Sequence, residues 1–237
     1  MTTTFALLGA TGLVGSNILK YLIQSPTPST IVTLTRREHD EATTSSAAAA
    51  NHTLTAKIDK DTTQWATIFG EACKVSPPPI AFTALGTTRA AAGGFDKQYA
   101  LEHDVNVAVA KAAKEAGVKT FVLISSSGAN KDSSIGYSKL KGEIEQHIEE
   151  FGFEKFIILR PGLLLGSRNE TRVAEGLFQA VAKGLRSVSG GTLSDFWAQG
   201  GDVVARAAVR AALDESITGK KILYQKDIVA LGKEEGW

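Results

Sequence analysis

Short apolar runs alternate with longer amphipathic segments along this chain. The apolar runs have the length and composition of buried strands and cover residues 5–8, 31–35, 81–84, 120–125 and 156–160, with a weaker run at 55–58. The amphipathic segments have helical periodicity and cover residues 14–24, 63–71, 96–116, 137–151, 172–183 and 201–214. This alternation predicts β-α-β units and therefore an α/β fold built on a doubly wound parallel sheet.

Length and composition favour a single domain. The chain has 237 residues, of which 43% are hydrophobic and 22% are charged, a balance typical of globular proteins. We predict one Rossmann domain over residues 1–237, in which residues 163–200 and the C-terminal stretch form a small substrate-side region. Residues 40–51 contain Ala, Thr and Ser with almost no large side chain, which predicts a flexible loop between the second and third strands.

Charge and cysteine content exclude several classes of protein. A net charge of +1 provides no global field for nucleic acid, so we predict no nucleic-acid partner. The single cysteine, Cys73, cannot form an intramolecular disulfide, and it favours a reducing compartment. The four histidines have no metal-ligand spacing and are interpreted as incidental, so no metal is predicted. No apolar run reaches the roughly 18 residues of a membrane span, and a cleavable targeting segment would have to include the first strand.

A glycine-rich turn follows the first predicted strand and precedes a predicted helix. In this context the spacing Gly9-x-x-Gly12-x-x-Gly15 is typical of dinucleotide-binding turns, and a turn without a ligand is the disfavoured alternative. Gly9 permits the tight turn, Gly12 lets the backbone approach a pyrophosphate, and Gly15 lets helix and strand pack closely. The helix N-terminus offers N–H groups to the phosphates. The predicted cofactor-binding residues of this turn are Gly9, Thr11, Gly12, Leu13, Val14 and Gly15.

The end of the second strand indicates which dinucleotide is bound. An NAD site usually has Asp or Glu here, about 20 residues after the turn, to bind the ribose 2′-hydroxyl. This chain has Arg36 and Arg37, whose guanidinium groups suit a 2′-phosphate, so the sequence favours NADP(H) over NAD(H). Two alternatives stay open: the arginines are ordinary surface residues, or Glu38 is an acid slightly out of register.

Three other strand ends contribute candidate cofactor contacts. Asp59, after the weak third strand, is either a partner of the adenine amino group or a solvated loop acid. The turn after the fourth strand either passes beside the cofactor or is a plain turn; its candidates are Leu85, Gly86 and Thr87. The turn after the apolar run at residues 156–160 is expected to contact the nicotinamide amide. Its candidate residues are Pro161, Gly162 and Leu163. Arg168 reaches the cofactor or an acidic substrate, or belongs to a loop of solvated charge.

Tyr137 and Lys141 lie four residues apart in a predicted helix and therefore share one helical face. A tyrosine hydroxyl ordinarily titrates at about 10, and a neighbouring ammonium group together with an oxidised nicotinamide favours its phenolate. Tyr137 is thus a candidate proton donor, and Lys141 is its candidate partner and a candidate ligand of the nicotinamide ribose. Such pairs also occur by chance on helices, and a purely structural pair is the alternative.

Serines at the end of the fifth strand complete the candidate catalytic set. Ser126 is the first choice, and Ser127 the second, for a hydroxyl that orients a substrate carbonyl; a polar turn is the alternative. Asn106 is more readily interpreted as a helix-surface residue than as a ligand for a water that relays protons from Lys141. The predicted catalytic residues are therefore Ser126, Tyr137 and Lys141.

Taken in order, these motifs resemble those of the extended or atypical short-chain dehydrogenase/reductases. The chain is most similar to the branch that contains the human oxidoreductase Tat-interacting protein 2 and its fungal mitochondrial relatives. The residues that carry this resemblance extend over essentially the whole chain: Leu85-Gly86-Thr87-Thr88-Arg89, Ser125-Ser126, Lys141-Gly142-Glu143, Arg160-Pro161-Gly162 and Leu231-Gly232-Lys233. The resemblance implies a doubly wound fold that binds NADPH, with Tyr137 at the position of the family's proton donor and Lys141 at that of its lysine.

The same resemblance implies a location and two possible functions. It implies a peripheral protein on the cytosolic face of the mitochondrial outer membrane; the residues alone suggest a cytoplasmic protein. One hypothesis is an NADPH-dependent carbonyl reductase that acts on an unidentified carbonyl compound or quinone. The other is a non-catalytic NADP(H)-responsive binding protein, since the human relative is known mainly for contacts with regulatory partners. Neither substrate nor oligomeric state follows from the sequence.

Overall fold

A computed structural model describes residues 3–75, 79–165, 198–234 and 236–237. Within these ranges the strands are β1 (Thr3–Leu8), β2 (Ser29–Thr35), β3 (Thr53–Ile58), β4 (Ile80–Thr83), β5 (Thr120–Ile124), β6 (Lys155–Leu159), β7 (Leu163–Leu165), β8 (Ala198–Gly200) and β9 (Gly219–Leu223). Seven of them form one sheet in the order β3-β2-β1-β4-β5-β6-β9, and every pair is parallel. β7 and β8 form a separate parallel pair. The predicted α/β fold with a parallel sheet is confirmed.

Helices cover both faces of the sheet. They are α1 (Leu13–Ile23), α2 (Glu41–Ala49), α3 (Trp65–Cys73), α4 (Arg89–Ala92), α5 (Phe95–Tyr99), α6 (Val105–Glu115), α7 (Gly136–Glu149), α8 (Gly201–Leu213) and α9 (Gln225–Lys233). One core cluster contains residues of α1, α8 and α9, and the other contains residues of α3, α6 and α7. In β1, Phe5 and Leu7 belong to the first cluster, while Ala6 and Leu8 belong to the second. Burial on both faces explains why the strands are continuous apolar runs.

Residues 41–49 form a helix, so the prediction of a flexible loop was wrong. The Asp40 carboxylate accepts a hydrogen bond from the Thr43 N–H at 2.7 Å and caps α2. Alanine has the highest helix propensity, and Ala47 is 1% exposed within the first core cluster. A segment without large side chains can therefore form a helix when it has a cap and one small buried contact.

The predicted helix at residues 96–116 is interrupted. Between α5 and α6 the chain forms a π-turn over Ala100–Asp104, which contains one more residue per hydrogen-bonded ring than an α-helix. Glu102 and His103 are both buried within it, at 1% and 9% exposure. Such turns occur often at functional sites.

Several elements lie beyond the sequence predictions. β7, β8, β9 and α9 were not predicted, and in β9 only Leu223 is fully buried, so its sequence carries little periodic signal. The helix predicted at residues 172–183 lies outside the described residues. None of the helices in the described ranges is both long and apolar enough to cross a lipid bilayer.

The one cysteine is inaccessible in this fold. Cys73 is 0% exposed at the end of α3, and burial raises the pKa of its thiol to about 12. The thiolate is the reactive form, so we expect native protein to resist a disulfide reagent such as DTNB at about pH 8. Urea-unfolded protein should release one equivalent of thiolate chromophore under the same conditions. Rapid labelling of the native protein would show that α3 opens easily.

Candidate active site

The parallel sheet brings the predicted site segments to one edge. Because β1, β4, β5 and β6 run in the same direction, the turns that follow them all leave the sheet at its carboxyl edge. Two backbone hydrogen bonds extend the sheet into these turns: Ala84 N–H donates to the Leu8 carbonyl at 3.0 Å, and Ser127 N–H donates to the Pro161 carbonyl at 2.7 Å. This edge is where ligands bind in open α/β folds.

The glycine turn is packed too tightly to accept side chains at two positions. Gly9 has a φ of +83°, and a Cβ there would lie 2.8 Å from the Ala84 carbonyl carbon. At Gly15 a Cβ would lie 2.1 Å from the Gly9 carbonyl oxygen. Gly12 is the N-cap residue of α1 and provides no side-chain cap for the helix. The first-turn N–H groups therefore meet no capping side chain, an arrangement that fits a pyrophosphate.

The other candidates of this turn differ in exposure. Thr11 and Gly12 are exposed, and Leu13 is half-buried at the start of α1. Val14 is 5% exposed and packs in the core, so only its backbone is suited to contact a ligand. The exposed part of the turn thus consists of backbone and one hydroxyl group.

The end of β2 presents two exposed arginines. Neither Arg36 nor Arg37 forms an ion pair with any described residue, and the Arg37 carbonyl accepts a hydrogen bond from the Thr35 hydroxyl at 2.6 Å. Asp59 lies at the end of the neighbouring strand β3, where its carboxylate accepts the Asp61 N–H at 2.7 Å. That contact is typical of a turn-forming loop acid, the second of the two interpretations of Asp59. The arginine pair leaves a positively charged corner beside the glycine turn, which fits a phosphate.

The loop after β4 is held by Glu102, a residue that sequence reasoning missed. Glu102 Oε1 accepts the Thr87 N–H at 2.9 Å and the Gln98 side-chain amide at 3.1 Å. Glu102 Oε2 lies 2.6 Å from Lys141 Nζ. A Cβ at Gly86 would sit 3.6 Å from Glu102 Oε2 and 3.8 Å from Lys141 Nζ, so this loop directly covers the ion pair. The sequence does contain a signal for this residue, since Glu102 is an acid at an apolar position of the helical pattern. An acid is rarely buried without a partner, so such a position predicts a buried ion pair.

Tyr137 and Lys141 lie on the same face of α7 but in different environments. The Tyr137 residue is 44% exposed, whereas Lys141 is 5% exposed. Lys141 Nζ lies 5.8 Å from the centroid of the Tyr137 ring. The ammonium group is thus close enough to influence the phenol, while its closest charged partner is the Glu102 carboxylate.

A cleft opens beside the Tyr137 ring. Its volume of about 460 Å³ lies within the range of small-molecule sites. The rim carries an exposed apolar side chain, Ile135, at 66% exposure. The lining residues are Thr87, Thr88, Arg89, Phe95, Gln98, Ile135, Gly136 and Tyr137. Two of the predicted site segments, the loop after β4 and the start of α7, therefore share one cavity.

The three serines after β5 have different roles. The Ser125 hydroxyl donates to Glu145 Oε1 at 2.5 Å, and Glu145 also forms an ion pair with Arg160. The Arg160 guanidinium donates hydrogen bonds to the Glu145 carboxylate, which raises the pKa of Arg160, so this link between α7 and the end of β6 stays ionic. Ser126 is half-buried and its hydroxyl donates to the Ser127 carbonyl at 3.3 Å, while Ser127 is exposed. Ser126 and Ser127 are thus the serines left for a substrate.

Asn106 is a buried residue, so its interpretation as a helix-surface residue was wrong. It is 1% exposed, and its amide donates to the Leu85 carbonyl at 3.3 Å and to the Glu102 carbonyl at 2.5 Å. Its carbonyl oxygen accepts the Thr83 hydroxyl. Both amide hydrogens are used within the protein, and Asn106 fastens the loop after β4 to the π-turn.

The turn after β6 is partly described. Pro161 is buried, Gly162 N–H donates to Gln199 Oε1 at 2.6 Å, and Leu163 is 41% exposed at the start of β7. The Gly162 N–H is thus engaged within the protein. The candidate Arg168 lies outside the described residues.

The histidines, interpreted from the sequence as incidental to metal binding, have structural contacts in the fold. His103 Nε2 and His147 Nδ1 are 2.8 Å apart and join the π-turn to α7, and His103 Nδ1 lies 2.8 Å from Asp104 Oδ1. His52 is 5% exposed and its Nδ1 lies 2.9 Å from the Ser29 hydroxyl. In the described ranges no three His, Cys, Asp or Glu side chains come close enough to bind a metal ion.

Comparison with known proteins places this site in a family. Residues 9–199 match a family model described as NAD(P)H-binding. The chain belongs to that family. Protein fmp52-1, mitochondrial, of Aspergillus terreus is 46% identical over 236 residues, which cover 97% of this chain and 98% of the relative. Protein fmp52, mitochondrial, of Aspergillus fumigatus is 50% identical over 210 residues, covering 88% and 86%. The predicted resemblance to the fungal mitochondrial branch is confirmed.

Solved structures confirm the fold. The UDP-Glc/GlcNAc 4-epimerase of Campylobacter jejuni has a TM-score of 0.68 at 13% identity, covering 96% of this chain and 82% of the epimerase chain. The Bordetella bronchiseptica enzyme WbmG, solved in complex with NAD, has a TM-score of 0.64 at 14% identity, covering 94% and 73%. The chain is therefore a Rossmann domain of the NAD(P)H-binding family.

Proposed function

We propose that this protein is an NADPH-dependent oxidoreductase that reduces a small carbonyl compound or quinone. The observation that carries the proposal is the position of Tyr137, on the wall of a cleft and 5.8 Å (ring centroid) from the ammonium group of Lys141. A phenol open to a cleft and close to a buried cation is arranged to donate a proton to a bound molecule.

Residues at the carboxyl edge of the sheet would contact successive parts of the cofactor. The first-turn N–H groups of α1 would hold the pyrophosphate, and Arg36 with Arg37 would hold the 2′-phosphate. The loop Leu85-Gly86-Thr87 would pass beside the nicotinamide ribose, since it covers Lys141. Pro161, Gly162 and Leu163 remain proposed contacts of the nicotinamide end, together with Arg168.

Of the three predicted catalytic residues, Tyr137 lines the cleft, and we assign supporting roles to Lys141 and Ser126. When bound, NADPH supplies the hydride for the carbonyl carbon. Tyr137 donates its hydroxyl proton to the carbonyl oxygen, and the Lys141 cation stabilises the negative charge left on the phenol oxygen. Ser126 orients the carbonyl oxygen by a hydrogen bond. Arg89 and the apolar side chains of Phe95 and Ile135 line the cleft where the rest of the substrate would lie.

A turnover screen tests the proposal directly. Purified protein is incubated with NADPH and a panel of quinones, aldehydes and ketones, and NADPH oxidation is followed by absorbance. We expect at least one compound class to be reduced with saturation kinetics. If NADPH binds but no compound of any class is reduced, the oxidoreductase proposal fails.

The preference for NADPH is a separate proposal with its own test. Alanine replacement of Arg36 and Arg37 removes two charge-assisted contacts to the 2′-phosphate, each worth roughly 1.5–3 kcal/mol. We expect the Kd for NADPH to rise by about a hundredfold or more, and the Kd for NADH to change by less than about threefold. Lys20→Ala, at the exposed end of α1, is the control. Equal losses for both cofactors would remove the argument for a 2′-phosphate site.

A second candidate function is a non-catalytic NADP(H)-responsive binding protein. The observation that favours it is the apolar surface beside the site, where Ile135 is 66% and Tyr137 44% exposed. In this function cofactor binding would order the surrounding loops for a protein partner. Limited proteolysis with and without NADPH distinguishes the candidates: protection by NADPH without any carbonyl turnover would favour the sensor.

We further propose that the protein is a peripheral protein of the mitochondrial outer membrane, on its cytosolic face. The support is that its relatives in Aspergillus are named mitochondrial proteins, together with the resemblance of the chain to a branch of peripheral proteins. Carbonate extraction of purified mitochondria should release the protein, and external protease should degrade it. A protease-resistant, carbonate-resistant protein would contradict this placement.

A further inference from the structure

We propose that Glu102 is a positioning residue of this site, which holds the charged Lys141 ammonium group against the loop after β4. The inference rests on the proposed function only for its effect on turnover. Its structural basis, and two of its tests, concern cofactor binding and stability alone.

The Glu102–Lys141 pair is buried almost completely. The side chains are 1% and 6% exposed, and Glu102 Oε2 lies 2.6 Å from Lys141 Nζ. A buried ammonium group is strongly disfavoured unless a carboxylate compensates its charge. Glu102 is the only charged partner of Lys141 within ion-pair distance among the described residues. Within the described ranges, one carboxylate thus compensates the charge of this ammonium group.

The second oxygen of Glu102 connects this pair to the cofactor-facing loop. Oε1 accepts the Thr87 N–H, and the Gln98 amide bridges Oε1 and the Thr87 carbonyl at 3.1 Å to each. One carboxylate therefore fixes both the lysine and the backbone that covers it. A movement of Glu102 would displace Lys141 and Thr87 together, and Tyr137 shares its cleft with Thr87.

Neighbouring charged groups are engaged elsewhere. On α7, Glu145 pairs with Arg160, and Glu143 pairs with Lys139 at 3.8 Å and accepts the Tyr99 hydroxyl at 3.1 Å. On the π-turn, His103 contacts Asp104 and His147. Tyr137 is a further titratable group near Lys141, with its ring centroid 5.8 Å from Nζ. Among the residues that the structure describes, loss of the Glu102 charge would consequently leave Lys141 without a substitute carboxylate partner.

Glu102→Gln is the test variant, because glutamine keeps the shape and the acceptor for Thr87 but removes the charge. The buried ammonium group of the variant loses its proton more readily in the folded state than in the unfolded chain. At pH values where this lysine is neutral in the folded variant but still charged in the unfolded chain, the unfolded state binds more protons. The free energy of unfolding of the variant therefore rises with pH in that range. We expect a Tm about 10 °C below wild type at about pH 7, and a deficit that narrows toward about pH 10.

A matched control has the same ion-pair distance at the surface. Glu71 Oε1 lies 2.6 Å from Lys74 Nζ, with side chains 63% and 59% exposed. Glu71→Gln should change the Tm by no more than about 2 °C at any pH, because exposed pairs contribute little. A pH-independent deficit in Glu102→Gln would mean that the residue has only a packing role, and would overturn the proposal.

Cofactor binding provides the second readout. We expect the Kd of Glu102→Gln for NADPH, measured by fluorescence, to rise with pH more steeply than that of wild type, because the Lys141 ammonium group of the variant has lost the carboxylate that compensates its charge. In a Lys141→Met background, Glu102→Gln should add less than about a twofold change in Kd, since it acts through the lysine. Additive effects of the two substitutions would overturn the proposal.

Turnover is the third readout, applicable once a substrate is known. We expect Glu102→Gln to lower kcat more than it raises KM at about pH 7, and Glu102→Asp to restore part of kcat. If no compound is turned over by wild type, the proposed function fails, whereas the Tm and Kd measurements still decide the role of Glu102.

Discussion

Tyr137→Phe should lower the kcat for carbonyl reduction by at least about a hundredfold and leave NADPH binding unchanged. The substitution removes one oxygen atom from a ring that is 44% exposed at the cleft, so folding and packing lose little. A positioned general acid contributes a rate factor of roughly 10²–10⁴, and we expect kcat to fall by that amount. The measurement is steady-state NADPH oxidation with the best substrate of the screen, combined with the Kd for NADPH by fluorescence.

The chain offers a matched control for this substitution. Tyr99 is a second tyrosine near α7, half-buried, with its hydroxyl hydrogen-bonded to Glu143 Oε2 at 3.1 Å. Tyr99→Phe loses a hydroxyl of the same chemistry away from the cleft lining and should keep kcat within about threefold of wild type. Retention of full turnover in Tyr137→Phe would assign the proton donor to another group.

Gly142→Ala should destabilise the protein strongly. A Cβ at this position of α7 would lie 2.1 Å from the Lys131 nitrogen and 2.3 Å from the Asn130 carbonyl carbon. Both contacts are with backbone, which cannot rotate away, so α7 would have to move off the segment that follows β5. Overpacking of this kind costs about 1–3 kcal/mol and occasionally more. Because both contacts are with backbone we expect about 3 kcal/mol, which corresponds to a Tm lower by roughly 6–12 °C.

The control for packing lies on the same helix. At Gly136 a Cβ would meet only the edge of the Phe95 ring, at 3.2 Å, and that side chain can shift. Gly136→Ala should therefore keep the Tm within about 3 °C of wild type, measured by circular dichroism or differential scanning fluorimetry. Equal stability of the two variants would show that α7 adjusts easily, and that the Lys141-Gly142-Glu143 motif has no packing role.

The parts of the fold that were predictable are those with a strong local signal. The strands around the glycine turn are buried on both faces, so each is an apolar run that stands out from its surroundings. Tyr137 and Lys141 share a helical face because their spacing is set by the helix itself. The predictions for these features needed no knowledge of distant contacts.

The parts that were missed depend on tertiary contacts. Glu102 lies in a π-turn within a segment predicted to be one regular helix, and its partner Lys141 lies on a different helix, α7. Asn106 is buried by the loop after β4, whose path the local pattern does not encode. The helix at residues 41–49 needs a cap from Asp40 and a core contact of Ala47. Each of these predictions considered only the local sequence around a residue and not the residues that contact it in the fold.

The strand order has a consequence for synthesis on the ribosome. β2 and β3 add to one side of β1, and β4, β5, β6 and β9 then add to the other side in the order in which they are translated. In the seven-stranded sheet of the described residues, each strand adds at an edge and none inserts between two partners that are already paired. The nascent chain can therefore extend its sheet outward as it emerges, with β6 as a temporary edge until β9 docks. A ribosomal pause between β6 and β9 would prolong the lifetime of that edge and is where we expect chaperone contact to be greatest.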